Sequence, residues 1–407
     1  MSKGAFTKEG TPVNRPQRNS VFALMAFALL GVVFAAFSSY DFIAHLDRQV
    51  HSITCSYIPG LESADIQGTS GCHTVMMSPY SSVLRTLTWG GVPIALAALA
   101  VFAYLFFRAL DLWLRQVEQD RGETRFLLVA TLLPVVASAV YLYISYTIIG
   151  ALCKLCVGTY VASLGVFISA LLVNAGSAEQ TPEGSSAPQY GLYFAEGLAF
   201  VFVPLMLYLA LKPGYDIAPG DCGQLANPDD KYKVRVALHQ SHGGTPALEL
   251  LDPLCPACKA FSERLEASGL DKKLDLQAVL FPLDKECNWM VSESLHPGAC
   301  GVSEALLCAG DQLPQVLKWA FDNQERLRNL AREDNTSIYE EIKKKFPKLG
   351  NCIGKPDVKT KLNRSLRWVV SNSLPVLTPQ LYVNNQKLCD EDTDLGLEYA
   401  LSRMLDQ

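Results

Sequence analysis

The stretch that decides the fold of the second half of the chain is Ala-Leu-Glu-Leu-Leu-Asp-Pro-Leu-Cys-Pro-Ala-Cys-Lys-Ala-Phe, residues 247–261. Its first five residues, Ala247–Leu251, are mostly apolar and end at Asp-Pro, which predicts a short buried strand. A Cys-x-x-Cys motif follows at Cys255 and Cys258, and residues 257–267 are predicted to be a helix with its apolar positions on one face. A strand that leads through CxxC into a helix is typical of a redox-active dithiol.

The position of the motif assigns different roles to its two cysteines. At the N-terminus of a helix, the dipole and the free backbone N–H groups stabilise a thiolate, so we expect Cys255 to be the attacking sulfur. Cys258, about one turn later, is then the more buried resolving thiol. A structural disulfide or half of a zinc site is the alternative. Zinc needs four ligands, and the next cysteine, Cys287, is distant and has no CxxC or HxxxH partner, which favours the redox interpretation.

Further elements follow along residues 274–405. We predict a strand at 274–283, mostly helix over 303–372, a strand at 381–383 and a helix at 395–405. This order resembles the thioredoxin superfamily, specifically the helix-inserted DsbA-like thiol oxidants, over about residues 231–407. The resemblance implies that Thr378-Pro379 is a cis pair beside the active disulfide. Ala257 stands where strongly oxidising members often carry a histidine, so the resemblance also implies a less oxidising dithiol.

Composition separates the chain into two unlike halves. The 407 residues are 49% apolar and 18% charged, but long apolar runs fill the first half. The net charge of −5 leaves no basic footprint, so nucleic acid is not an expected partner. Eight of the twelve cysteines lie from Cys222 onward, which points to an oxidising compartment.

Five apolar stretches approach the length of about 20 residues that a helix needs to cross a membrane. The first is predicted to be a retained anchor, because further spans follow it and a signal peptide core is usually shorter. The predicted spans are Val21–Phe37, Val83–Phe107, Phe126–Ile149, Leu152–Val173 and Leu192–Leu211.

The distribution of basic residues predicts the orientation. The N-terminal tail and the loop after the second span are rich in Lys and Arg, whereas the loop 39–80 has only Arg48. The positive-inside rule then places the N-terminus in the cytosol and the first loop outside. Counting five spans places everything after Leu211 outside as well. We therefore expect a multi-pass protein of the cytoplasmic (inner) membrane, with a periplasmic or extracellular C-terminal domain.

These observations predict a multi-domain protein, in which an all-α membrane four-helix bundle and a fifth transmembrane helix precede an α/β thioredoxin-like domain with a helical insertion. The expected segments are a cytosolic tail at 1–19, the bundle at 20–175, a linker at 176–190, the fifth helix at 191–211, a connector at 212–230 and the thioredoxin-like domain at 231–407.

A second CxxC opens the fourth span. Cys153, Cys156 and Tyr160 share one helix face, which suits a redox ring at the edge of the bilayer. Two ordinary buried cysteines and an interfacial tyrosine are the alternative, and the residues alone leave both open.

The motif Cys153-x-x-Cys156-x-x-Thr159-Tyr160 resembles the signature of the vitamin K epoxide reductase family. Cys72, followed by Ser-Pro-Tyr at 78–80, is similar to its bacterial members, which are often fused to a thioredoxin-like domain. The resemblance covers about residues 20–175. It implies a four-helix bundle and a catalytic loop pair, Cys55 and Cys72. The sixteen residues between these two cysteines exceed the usual spacing of the family.

The resemblance implies a relay from exported protein thiols through Cys255/Cys258, Cys55/Cys72 and Cys153/Cys156 to a membrane quinone, ubiquinone or menaquinone. Thr159 and Tyr160 would line the quinone pocket. The partners would be exported or periplasmic proteins with free thiols, the quinone pool and the lipid bilayer. One alternative is a quinone or vitamin K epoxide reductase that uses the thioredoxin domain as its thiol donor. A non-enzymatic metal-binding or redox-sensing protein is the other. No histidine lies close in sequence to either CxxC, so no metal site is predicted.

Six cysteines remain outside these pairs, and fifteen pairings among them are possible. Three structural disulfides that staple the C-terminal domain are the expected arrangement. Our choice among the pairings is Cys287–Cys300, Cys308–Cys352 and, left over, Cys222–Cys389.

Overall fold

The computed structural model describes residues 15–47, 71–115, 121–177, 187–212, 222–241 and 243–406. The chain forms two units that divide after Pro213, except that Leu84–Gly91 groups with the second unit. The first unit is helical and the second contains a mixed sheet with helices, so the predicted fold class is confirmed.

Long apolar helices build the first unit. They are α1 (Arg15–Ala44), α3 (Ile94–Arg115), α4 (Arg121–Tyr143), α5 (Lys154–Ala175) and α6 (Ala187–Leu211), and a short helix, α2 (Gly71–Met76), precedes α3. The five long helices are long and apolar enough to cross a membrane, as predicted. A π-helical segment, Ile144–Ile149, extends α4.

Helix α1 packs against both α3 and α5, and α5 also packs against α4. Two glycines of α5 allow the close approach to α1: a Cβ at Gly158 would meet the ring of Phe34 at 2.6 Å, and one at Gly165 would collide with the ring of Phe27. Small residues at a helix interface commonly serve this purpose in membranes, where packing rather than burial from water holds helices together.

Helix α6 attaches to the bundle through α3. The hydroxyl of Tyr104 donates to the backbone carbonyl of Tyr193 at 2.8 Å. Buried Arg108 pairs with Glu196 of α6 at 3.4 Å and with Glu123 at the start of α4. A buried guanidinium in a membrane helix needs such carboxylate partners, and here they join three helices.

The second predicted span is wrong at its beginning. Helix α3 begins at Ile94 and not at Val83, because β1 (Ser82–Val83) and β2 (Val92–Pro93) pair as a short antiparallel hairpin. Gly90 and Gly91, both with φ above +70°, turn the chain between these strands.

The second unit is built on a five-stranded sheet of order β3-β5-β4-β6-β7. Its strands are β3 (Val236–His239), β4 (Thr245–Leu251), β5 (Leu274–Leu280), β6 (Gln380–Val383) and β7 (Gln386–Lys387). Central β4 runs parallel to β5 and antiparallel to β6. Helix α7 (Pro256–Ser268) connects β4 to β5, and α13 (Leu397–Leu405) follows the sheet.

Five helices between β5 and β6 form the predicted helical insertion. They are α8 (Ala299–Cys308), α9 (Leu313–Asp322), α10 (Gln324–Glu333), α11 (Ser337–Lys345) and α12 (Pro356–Ser371). Their apolar faces share one core with Leu251, Cys255 and Cys258. On the other side, Trp368 of α12 packs with Leu250. The insertion therefore covers the sheet at the point where β4 leads into α7.

Candidate active site

The first CxxC lies where β4 ends and α7 begins. Cys255 is the N-cap of α7 in an extended conformation, with Pro256 in the first turn, where its missing N–H costs nothing. Both thiols are free. Cys255 is 4% exposed and Cys258 is completely buried, so an attacking reagent can reach only the first sulfur.

The two sulfurs differ in acidity. A hydrogen bond from the Cys258 thiol is the largest cause that lowers the pKa of Cys255 to about 6, against the opposing effect of burial. Burial raises the pKa of Cys258 well above the usual value for a thiol, and its hydrogen bond to Cys255 adds to this rise. Cys255 is thus poised as the thiolate, and Cys258 is held as its neutral donor.

The loop before β6 closes over the same sulfur. The Thr378-Pro379 peptide bond is cis. The Cys255 Sγ lies 3.6 Å from the carbonyl oxygen of Thr378. From the insertion, the side-chain amide of Gln324 donates to the carbonyl oxygen of Cys255 at 2.9 Å, and to that of Pro253 at 3.2 Å. Contacts from both sides therefore hold the turn that carries the nucleophile.

Glu249 is a candidate functional residue that the sequence analysis missed. It lies on β4, is 2% exposed, and its Oε1 has no hydrogen-bond partner among the described residues. Burial, with a contribution from the charge of Cys255, raises the pKa of this carboxyl to about 8. A carboxyl that titrates near neutral pH beside a buried thiol can exchange a proton with it. The sequence does carry a signal that could have identified Glu249, since it is the one acidic residue in the apolar run Ala247–Leu251.

Asp252 and His296 form a second pair that the sequence analysis missed. The imidazole Nδ1 of His296 lies 2.7 Å from Oδ2 of Asp252, whose side chain is completely buried. No local pattern marks this histidine, because the loop between β5 and α8 carries it to the CxxC turn.

Three disulfides join the remaining cysteines of the second unit. They are Cys222–Cys389, Cys287–Cys300 and Cys308–Cys352. The first attaches residues of the predicted connector to the sheet, where Leu225 N also donates to the Asn385 carbonyl oxygen. The end of the connector is thus part of the second unit.

The second CxxC borders a cavity in the helical unit. Cys153 is the extended N-cap of α5, and Cys156 lies one turn later; both carry free thiols. Cys72, on α2, is disulfide-bonded and shares a buried cluster with Cys153, against which Cys156 also packs. Cys55 lies outside the described residues.

The cavity has a volume of about 310 Å³ and is lined mainly by apolar side chains. Cys72, Cys153, Cys156, Thr159 and Tyr160 all line it. Its volume lies within the range of about 300–1,000 Å³ that is usual for sites of small organic ligands. The structure therefore brings these predicted residues to the wall of one apolar chamber.

The polar edge of the cavity includes residues that the sequence analysis did not select. Ser145 lines the cavity together with Tyr160. Ser145 is buried and lies in the π-helical segment, whose irregular backbone borders the cavity. Thr159 donates its hydroxyl to the Leu155 carbonyl oxygen at 3.0 Å, which leaves only its oxygen lone pairs for a ligand. Single-turn π segments often occur at functional sites.

A dithiol in the wall of an apolar cavity, together with a thioredoxin-type dithiol, defines a class of membrane thiol redox proteins. Residues 22–171 match the sequence profile of the Vitamin K epoxide reductase family, so the bundle is a domain of that family and the chain is an oxidoreductase.

One solved structure similar to this chain is a linker-deletion mutant of Proteus mirabilis ScsC. It is 18% identical, with 56% of this chain and 99% of that chain covered and a TM-score of 0.28. No curated protein matches the chain. The thioredoxin-like fold of the second unit follows from its own sheet order, the CxxC at the start of α7 and the Pro379 loop before β6.

Proposed function

We propose that the chain is a membrane thiol–disulfide oxidoreductase that passes electrons from the thiols of exported proteins through three cysteine pairs to a membrane quinone. The main observation that supports this proposal is that the chain has two CxxC dithiols at helix N-termini. One belongs to a thioredoxin-like unit, and the other lines an apolar cavity of a vitamin K epoxide reductase domain.

Electrons enter at Cys255. A substrate thiolate attacks the Sγ of Cys255 in the oxidised pair, and the Cys255–Cys258 bond breaks. A second substrate thiol then attacks the mixed disulfide, which releases the Cys255 thiolate and leaves the substrate with a new disulfide. The lowered pKa of Cys255 supports this direction, because a more acidic thiol is a better leaving group.

Reduced Cys255 then attacks the loop disulfide at Cys55, and the Cys55–Cys72 bond breaks. Cys258 then attacks Cys255, which restores the Cys255–Cys258 disulfide and releases the Cys55 thiol. Cys72 attacks Cys153 of the oxidised pair and breaks the Cys153–Cys156 bond, and Cys55 then attacks Cys72, which restores the loop disulfide and leaves Cys153 and Cys156 reduced. Each exchange oxidises one dithiol and reduces one disulfide, so two electrons and two protons pass on. Burial of Cys72 in one cluster with Cys153 supports the second exchange.

The cavity residues fit a quinone ring. Apolar side chains suit the ring, and the side chains of Tyr160 and Ser145 offer hydroxyl groups to it. A ubiquinone or menaquinone bound there would supply an acceptor for two electrons and two protons. Cys156 would face the acceptor, Thr159 and Tyr160 would orient it, and the apolar wall would exclude water.

We place the N-terminus in the cytosol and the thioredoxin-like unit on the outer face of the cytoplasmic membrane, with the segments as predicted: 20–175 as the bundle, 191–211 as the fifth helix and 231–407 as the thioredoxin-like domain. The positive-inside rule and the cysteine content of the second unit support this orientation.

Membranes that carry the Cys156→Ala variant test the scheme. We expect them to lose thiol-dependent reduction of a ubiquinone analogue, followed by absorbance. Val161→Ala is a matched control, since Val161 lies on the same helix, is 54% exposed and does not line the cavity. Normal turnover by the Cys156 variant would refute quinone reduction at this dithiol.

Trapping with Cys258→Ala tests the input, because the mixed disulfide at Cys255 can no longer resolve. We expect adducts to exported proteins and to the loop pair, identified by mass spectrometry. Turnover of vitamin K epoxide by the purified protein, with no such adducts, would instead favour the alternative in which the thioredoxin domain is only a thiol donor.

A further inference from the structure

One loop of the second unit brings a histidine to the redox dithiol. His296 lies between β5 and α8, and its Nδ1–H donates to Oδ2 of Asp252 at 2.7 Å. The side chains are 11% and 0% exposed, so the pair is shielded from solvent. Asp252 precedes Cys255 by three residues, and the histidine is therefore attached to the turn that begins α7.

Asp252 organises that turn with both its side chain and its backbone. Its Oδ1 accepts a hydrogen bond from Leu254 N at 2.8 Å, and its Oδ2 accepts one from Leu283 N at 2.7 Å. Its carbonyl oxygen accepts one from Cys255 N at 3.2 Å. A carboxylate with these partners is fixed, so the imidazole that it holds is fixed relative to the turn of Cys255.

Hydrogen bonds within the loop fix the segment that carries His296. Oδ2 of Asp284 accepts hydrogen bonds from Gly298 N at 2.9 Å and Cys300 N at 3.4 Å, and its Oδ1 accepts one from the Ser294 hydroxyl at 2.8 Å. The Cys287–Cys300 disulfide closes the same loop. These contacts leave the segment little freedom to withdraw its histidine.

We propose that His296 is a positioning residue for the redox dithiol, that Asp252 holds its imidazole as the charge partner of the Cys255 sulfur, and that the loop closed by Cys287–Cys300 serves to keep it there. This inference rests on the proposed function and adds a residue outside the CxxC motif. It gives one of the structural disulfides a specific duty at the active site.

The charges around the pair agree with this role. The carboxylate of Asp252 disfavours a thiolate at Cys255, whereas the imidazolium of His296 favours it. Burial lowers the pKa of His296, but the hydrogen bond and the charge of Asp252 raise it by more, and the Cys255 thiolate raises it further. Arg328 of α10 opposes that rise as a like charge.

Glu249 of β4 is another titratable group that is coupled to the dithiol: the charge of Cys255 raises the pKa of its carboxyl, and its own charge raises the pKa of Cys258. Near Cys255, a protonated His296 offsets the negative charge of Asp252.

The alkylation rate of Cys255 as a function of pH tests the proposal in the full-length reduced protein in detergent. Iodoacetamide labelling is quantified by mass spectrometry on the peptide that contains Cys255. His296→Gln retains a donor for Asp252 but removes the charge. We expect the pH midpoint of Cys255 alkylation to be about one unit higher in this variant than in the wild type. At a pH below both midpoints, the thiolate fraction of Cys255 is then about tenfold lower. His296→Arg restores a cation and should return the midpoint toward that of the wild type.

A pair of disulfide variants tests the role of the loop. Cys287→Ser/Cys300→Ser should raise the Cys255 midpoint in the same direction as His296→Gln. Cys308→Ser/Cys352→Ser removes another disulfide of the insertion, at the far end of α8, and should leave the midpoint unchanged.

A His296→Gln profile that overlies that of the wild type, in a protein with a native circular dichroism spectrum, would overturn the inference and leave the proposed function standing. An ordinary thiol midpoint near 8.5 for wild-type Cys255 would overturn both.

Discussion

The buried carboxyl of Glu249 should make the stability of the reduced protein depend strongly on pH. Its pKa is about 8 in the folded protein and 4.5 when it is exposed, so the folded state retains a proton that the unfolded state releases. The stabilisation is complete below pH 4.5 and is lost as the pH rises towards 8. Each pH unit within this window costs about 1.4 kcal/mol, which amounts to roughly 3 kcal/mol between pH 5 and pH 8.

Glu249→Gln removes this titration. We expect the unfolding free energy of the variant, relative to that of the wild type, to increase by about 3 kcal/mol between pH 5 and pH 8. The assay is urea unfolding of the full-length reduced protein in detergent, followed by the near-ultraviolet signal of the second unit at three pH values.

Glu266→Gln on α7 is the matched control, because its carboxyl is exposed and the substitution is the same. We expect the difference between this control and the wild type to be independent of pH. A Glu249→Gln difference that is equally flat from pH 5 to pH 8 would refute the reasoning, because it would mean that the carboxyl is already ionised in the folded protein.

Three further perturbations test other parts of the molecule. Ala257→His adds a cation at the start of α7, so we expect the reduction potential of the dithiol to rise by tens of millivolts in glutathione equilibration; the wild type should lie below about −120 mV, and a value at that level would contradict the reasoning. Gly165→Leu places a side chain against the ring of Phe27, and the loss of close packing should destabilise the bundle by about 1–3 kcal/mol in thermal unfolding. Tyr160→Phe removes a hydroxyl from the lining of the cavity and should slow ubiquinone reduction without slowing thiol exchange in the second unit, so equal slowing of both would count against a cavity role.

Much of the fold follows from local pattern. Five apolar runs predict five long helices, since only an internally hydrogen-bonded segment of that length can cross a bilayer. The apolar run at Ala247–Leu251 predicts the central strand, which the structure extends to Thr245. The beginning of the second span could not be predicted from local pattern, because Val83 pairs with Val92 across a turn and does not continue into a helix.

The chemistry of the site depends on contacts between residues far apart in the chain. Six cysteines allow fifteen pairings, and spacing alone cannot choose among them, whereas sulfur–sulfur proximity can. The same is true of the cavity, which is lined by Cys72 together with Cys153 and Tyr160 from a distant part of the chain.

The sequence by itself determined that two CxxC dithiols stand at helix N-termini, one in a membrane bundle and one in a thioredoxin-like unit, because motif, strand and helix are all local. Only the tertiary structure decided the electrostatic surroundings of Cys255. The physical reason is that burial neutralises Glu249 and that His296 reaches Asp252 through a loop. Solvation and charge pairing depend on which groups the fold brings together. The distances between groups that are far apart in the chain cannot be read from the order of residues.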